Sequence, residues 1–235
     1  DPKPTIAIPM RSKITPDSSP VCFGKIFVPA SMAAKNIITK NIAENGLEVK
    51  AISSKPSDLQ KVSKVRIALW DMYGGSMPSG WVRWLMEQYH FSADIIYTKD
   101  IDAGNLRTRY DALILVTGAV PPVKKESVPS WETKDPKPDE VPAEFHSKIG
   151  RISADKSIPE LKKFMEAGGR VITIGTSANL AYHLGLPVSN ALMEIDASGN
   201  ERKIPNEKYY VPGSILSVNV DSARSATWGA QSQTN

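Results

Sequence analysis

Val65-Arg66-Ile67-Ala68-Leu69-Trp70, running into Asp71-Met72-Tyr73-Gly74-Gly75-Ser76-Met77-Pro78-Ser79-Gly80, is the stretch from which the fold can be read. Its first half is a short run dominated by apolar residues, the mark of a strand buried on both faces of a parallel sheet. Its second half is a glycine-rich turn. Beyond it, Trp81, Trp84, Leu85 and Tyr89 recur at helical spacing, which predicts a helix with those residues on one apolar face.

The same alternation continues downstream. Asp94-Ile95-Ile96-Tyr97 reads as the next strand, a short helix surrounds Leu106, and Ala112-Leu113-Ile114-Leu115-Val116 reads as a central strand. Ser157-Ile158-Pro159-Glu160 fits a capping box with proline in the first turn, where a missing N–H costs nothing. Leu161, Phe164 and Met165 form that helix's core stripe, and Gly168-Gly169 stops it. Arg170-Val171-Ile172-Thr173-Ile174 is a further buried strand, turning at Gly175-Thr176-Ser177 into a helix that ends at Gly185. Strands alternating with helices predict a three-layer α/β fold around a mostly parallel sheet. Residues 186 to about 222 change character. They form a β-rich excursion with a hairpin turn at Asp196-Ala197-Ser198-Gly199-Asn200 and a strand over 215–220.

Upstream, residues 1–23 read as an irregular lead-in rich in Pro, Ser and Lys. Residues 24–64 read as a small βαβ-like unit: a strand at 25–29, a weak helix at 31–45 closed by Gly46, an alternating strand at 47–52 and a polar linker. The main domain is then 65–235. The opening Asp1-Pro2-Lys3-Pro4 and the Ser/Thr/Gln/Asn-rich ending suggest a piece cut from a longer protein.

Composition excludes several function classes. The 235 residues carry 29 basic and 25 acidic side chains, and the basic ones are scattered (Lys61, Lys64, Lys124, Lys125, Lys162, Lys163). Nucleic-acid binding needs a clustered basic footprint, so no nucleic-acid partner is expected. No apolar run approaches the roughly 20 residues of a membrane span. Cys22 is the single cysteine, which excludes an internal disulfide and a multi-cysteine metal site. It sits in a proline-bounded stretch with nothing nearby to activate a thiolate.

Three places could carry chemistry. A metallocarboxypeptidase zinc site needs His-x-x-Glu and a distant His. Three residues after His90, His146 and His183 stand Ala93, Ile149 and Leu186, so no metal site is expected in this chain. The turn Gly175-Thr176-Ser177-Ala178-Asn179 has the context of a nucleophile elbow, with Asn179 where the second glycine of Gly-x-Ser-x-Gly belongs. Ser177 is thus a weak catalytic candidate, against the alternative that Thr176 or Ser177 caps the helix. The turn Tyr73-Gly74-Gly75-Ser76 lies at the carboxyl edge of the first main strand, where open α/β sheets bind ligands. It matches neither Gly-x-Gly-x-x-Gly nor a P-loop. Tyr73, Gly74, Gly75, Ser76, Trp81, Thr176 and Ser177 together make the expected ligand or partner surface. Residues 120–142, with six prolines, form a loop long enough to be a lid or an insert.

Residues 66–81, Tyr110-Asp111-Ala112-Leu113-Ile114, Val141-Pro142-Ala143-Glu144, Gly175-Thr176-Ser177-Ala178, Ala181-Tyr182-His183-Leu184-Gly185-Leu186-Pro187 and Lys208-Tyr209-Tyr210-Val211-Pro212-Gly213-Ser214 resemble the C-terminal part of large bacterial zinc carboxypeptidase-like proteins. The resemblance spans most of 65–220. It implies a flavodoxin-like, class I glutamine amidotransferase-like domain following an exported, periplasmic or secreted, peptidase domain that supplies the zinc. It also implies a partner, that peptidase domain of the same polypeptide, with 73–81 and 120–142 as contact surfaces. Active amidotransferases place a cysteine at the elbow after the strand matching 171–174. Here Gly175, Thr176 and Ser177 stand there, which implies an accessory domain without catalysis of its own. The alternatives are a serine-type hydrolase using Ser177 and a small-molecule-binding module at the Gly74-Gly75 edge.

Overall fold

The computed structural model describes residues 5–10, 23–45, 49–57, 64–123, 135–199, 201–213, 215–221 and 233–234. Cys22 and residues 124–134 of the long loop lie outside them. The chain forms two compact units, 1–62 with 194–235, and 63–193. The expected main domain of 65–235 therefore closes near 193.

In the first unit, β1 (Thr5–Met10) is the middle strand of an antiparallel sheet, flanked by β2 (Phe23–Val28) and β3 (Lys50–Ile52). The expectation of an irregular lead-in is corrected for 5–10. Thr5-Ile6-Ala7-Ile8 is β-favouring, and the register shifts between Pro9 and Met10, the kind of irregularity at which a sheet tolerates proline. The helix α1 (Met32–Asn45) connects β2 to β3, and Ser31 Oγ accepts the Ala34 N–H at 3.0 Å to start it. Both flanking strands run antiparallel to β1, so the expected βαβ unit at 24–64 is present but split by β1.

The second unit holds a parallel sheet of β4 (Ile67–Trp70), β5 (Ala93–Ile96), β6 (Ala112–Leu115) and β7 (Arg170–Thr173), in the order β5-β4-β6-β7. Its helices are α2 (Met77–Gln88), α3 (Thr98–Asp102), α4 (Leu106–Arg109), α5 (Ser157–Glu166) and α6 (Leu180–His183). This is the three-layer α/β architecture read from the sequence. The chain runs outward from β4 to β5, then returns past β4 to β6, so the switch in direction falls between β4 and β6.

Register and pleat assign the two faces. Ala68, Leu113 and Val171 lie abreast, as do Leu69, Ile114 and Ile172 one step along. The first set, with Trp70 and Leu115, faces α3 and α5: Trp70 Nε1 donates to Thr98 Oγ1 at 3.2 Å, at the start of α3. Right-handed crossovers place α2 on the other face.

Two local expectations are corrected on the helices. α2 starts at Met77 rather than after Gly80, because Ser76 Oγ accepts the Ser79 N–H at 3.2 Å and Pro78 fits the first turn. Its packed stripe is Ser79, Val82 and Met86, and Trp81 and Trp84 point the opposite way. Ser79, fully buried, lets the helix lie close on the sheet, which bulky indoles would not. α5 begins at the expected Ser157, but Lys156 is the residue at the cap. Ser157 Oγ instead donates to Asp102 Oδ1 at 2.5 Å and accepts from Ser153 N at 3.1 Å, tying α5 to α3. β7 was read as buried. Val171 and Thr173, on the side toward α5, are only half-buried, and Ile172 on the other side is 51% exposed.

At the amino edge, Arg66 holds Asp111 through Nε and Nη2, at 3.0 and 2.9 Å, and through its backbone N–H at 2.9 Å. Arg107 Nη1 adds a contact at 2.5 Å. Chiefly through the Arg66 side chain, these donors hold the Asp111 carboxyl well below the usual carboxylate range. The pair fixes the starts of β4 and β6 side by side.

The β-rich excursion is present. β8 (Met193–Ile195) pairs with β9 (Glu201–Lys203), and Gly199 N–H donates to Asp196 O at 3.0 Å in the expected turn. The strand expected over 215–220 is confined to β10 (Val218–Asn219), paired antiparallel with β11 (Gln233–Thr234).

Candidate functional site

The carboxyl edge of β4, β6 and β7 is where a parallel sheet presents loop residues to a ligand. The turn after β4 is built on two glycines in the left-handed region, Gly74 at φ 82° and Gly75 at φ 77°. Asp71 organises it. Asp71 Oδ1 accepts the N–H groups of Met72 and Ser76, each at 2.9 Å, and Gly75 N–H donates to Met72 O at 2.9 Å. The Met72, Gly75 and Ser76 N–H groups are thus committed to a carboxylate or a carbonyl, and that carboxylate repels a second negative charge.

Beside the turn, the Tyr73 ring centroid lies 6.1 Å from that of Phe145. Lys148 Nζ sits 5.1 Å from the Phe145 centroid and 5.4 Å from that of Tyr97, a cation between two aromatic faces. The segment carrying Phe145 and Lys148 consists of two 3-10 turns, Pro138–Glu140 and Ala143–Lys148. It is pinned down by Lys99 Nζ donating to His146 O, and by Thr98 Oγ1 donating to Gly150 O at 3.0 Å. Residues 143–150, which follow the long loop, are therefore a fixed strap beside β4 and β5.

The turn after β7 has the shape of a nucleophile elbow and none of its chemistry. Gly175, the first residue of the 3-10 turn Gly175–Asn179, sits at φ 59°, and a Cβ built there would collide with Thr117 Oγ1. Thr176 Oγ1 accepts the Gly118 N–H at 2.9 Å, and Thr117 Oγ1 reaches Ile174 O at 3.4 Å. Ser177 is fully buried: its hydroxyl donates to Val116 O and accepts the Val120 N–H at 3.2 Å. The His183 ring is engaged elsewhere, with Nε2 donating to Pro121 O at 2.8 Å. A serine acting as nucleophile needs exposure and a base to take its proton. Here that proton already belongs to a backbone carbonyl. The elbow works as a latch joining the carboxyl ends of β6 and β7.

The residues singled out from the sequence thus fall into three places. Tyr73, Gly74, Gly75 and Ser76 share one turn. Thr176 and Ser177 share another, two strands away and so about 10 Å across the sheet edge. Trp81 is on the outer side of α2. Asp71, Thr117, Phe145 and Lys148 were not singled out. Asp71 had a readable signal, an aspartate opening a Gly-Gly turn, where its side chain can bond nearby backbone N–H groups.

For zinc the donors do not fit. His146 Nε2 lies 2.8 Å from Val141 O, and His183 is held at Pro121. Among the described residues no three His, Cys, Asp or Glu side chains group to hold a metal ion. An open groove of about 330 Å³ between α4 and α5, bordered by Asn105, Arg107, Glu160 and Lys163, lies toward the amino ends of β6 and β7, away from this edge. No helix among the described residues is long and apolar enough to cross a membrane.

No family model matches the sequence, and no curated protein or solved structure matches it either.

Proposed function

We propose that this chain is a non-catalytic accessory domain of a zinc carboxypeptidase-like protein. It packs on the peptidase domain of the same polypeptide, in the periplasm or outside the cell. The observation that carries the non-catalytic half is the turn after β7, where Ser177 is buried with its hydroxyl committed to Val116 and Val120. The partner half rests on the resemblance of residues 66–81 and the stretches that accompany it. We assign zinc to the peptidase domain, since His146 and His183 are spent on backbone carbonyls. The contact surface is the carboxyl edge around Tyr73 and Phe145, where a rigid turn and a pinned strap offer shape without reactive groups.

The test sets zinc content and peptide hydrolysis of this chain beside those of the full-length gene product. Chelator-sensitive carboxypeptidase activity is expected in the full-length protein alone and unchanged by Ser177→Ala. A fluorophosphonate probe is expected to leave Ser177 unlabelled. Metal-independent hydrolysis by the chain, or labelling at Ser177, overturns the reading.

A further inference from the structure

The outer side of α2 is as apolar as its inner side. Around the helix, Met77, Trp81, Trp84 and Leu85 lie roughly opposite the packed stripe of Ser79, Val82 and Met86. Trp81 is 62% exposed, Trp84 50% and Met77 78%, and Tyr89 continues the patch past the helix end at 72%. The two indoles meet edge to face with centroids 6.1 Å apart, so they form one ordered platform.

We infer that this face is a homotypic interface, on which α2 of a second copy of the chain packs antiparallel across a two-fold axis near Leu85. Size is the first reason. At 150–250 Å² for each large aromatic, the exposed parts of Trp81, Trp84 and Tyr89 alone leave roughly 300–450 Å² in water, and Met77 and Leu85 extend the patch to the size of the largest on a typical monomer. A patch of that size is what the apolar centre of a standard interface needs, the remainder of its ~800 Å² per partner being a more polar rim. Trp, Tyr and Arg are also the residues that dominate such interfaces.

Charge is the second reason. The helix carries one cation and one anion, Arg83 and Glu87, paired with each other at 2.9 Å along one flank of the apolar stripe. An isologous two-fold brings the same flank of both copies together with reversed direction. With the axis at Leu85, Arg83 of each copy faces Glu87 of the other, and Trp81 faces Tyr89. The surface is complementary to itself in shape class and in sign. This assignment gives Trp81 to the second copy and leaves the Tyr73 edge to the peptidase domain; it does not depend on what that domain is.

Sedimentation velocity over about 1–100 μM should show the mass rising from one chain to two. Trp84→Glu should weaken association by about 30-fold or more while the circular dichroism spectrum stays unchanged. Arg83→Glu and Glu87→Arg should each weaken self-association by about 5-fold, and mixing the two variants should restore the dimer, because every cross-pair is then opposite in sign. A chain that stays monomeric at the highest concentration overturns the assignment, and so does a dimer indifferent to Trp84→Glu. Failure of the mixed variants to recover overturns the antiparallel register at Leu85.

Discussion

The two faces of the parallel sheet differ more than their sequences do. On the side of α3 and α5, Ala68, Trp70, Leu113 and Leu115 are sealed from water, and α5 supplies Leu161 and Phe164 to the same core. On the side of α2, Leu69 is equally buried, but Ile114 is marginal and Ile172 is half exposed. Aliphatic strand residues stand on both sides. The difference comes from where the crossovers run: those into β6 and β7 lay α3, α4 and α5 on one face, while the crossover into β5 lays α2 on the other. An apolar strand position is therefore a capacity for burial, and whether it is filled depends on which elements the topology delivers.

That contrast can be broken by mutation. Phe164→Ala, under the covered face, should cost about 3–5 kcal/mol in urea unfolding, because a large buried ring leaves a cavity. A loss under 1 kcal/mol would mean the face is not sealed. Ser177→Ala should cost about 1–3 kcal/mol, since Val116 O and Val120 N–H are buried and lose their partner. A smaller effect, common to both faces, is confined to acid. Asp111 is held below its unfolded value of ~3.9, so its contribution is full above that pH and is lost as pH falls through the lowered folded value. Asp111→Asn should flatten the fall of Tm below about pH 4, where the wild type steepens. Least affected should be Ile172→Thr on the open face, within about 0.5 kcal/mol of wild type in the same unfolding assay. A cost near that of Phe164→Ala would show that something covers β7.

Much of the second unit was legible because strand runs such as 112–115 and helix stops such as Gly168-Gly169 are local signals. Partner choice was not local. Thr5–Met10 looked irregular because its two hydrogen-bonding neighbours lie up to 47 residues away, at Ile52. The apolar stripe of the α2 tryptophans does not show which way it faces, because periodicity marks a stripe without saying which of two stripes meets the sheet. Ser79, a small polar residue, decided that. At the candidate site the elbow's outline was visible in Gly175-Thr176-Ser177. Its sealing by Thr117 and Val120 required the loop after β6 to be in place, 57 residues earlier in the chain.

Gly175 also bears on what could be made of this scaffold. A cysteine at 175 would collide with Thr117 and sit at a φ that side chains avoid, so Gly175→Cys alone damages the turn. Trimming Thr117 alone removes its contact with Ile174 and gains nothing in return. The two positions are epistatic. A search that accepts one beneficial step at a time would stall between them, and a library meant to place a nucleophile at 175 must vary both together.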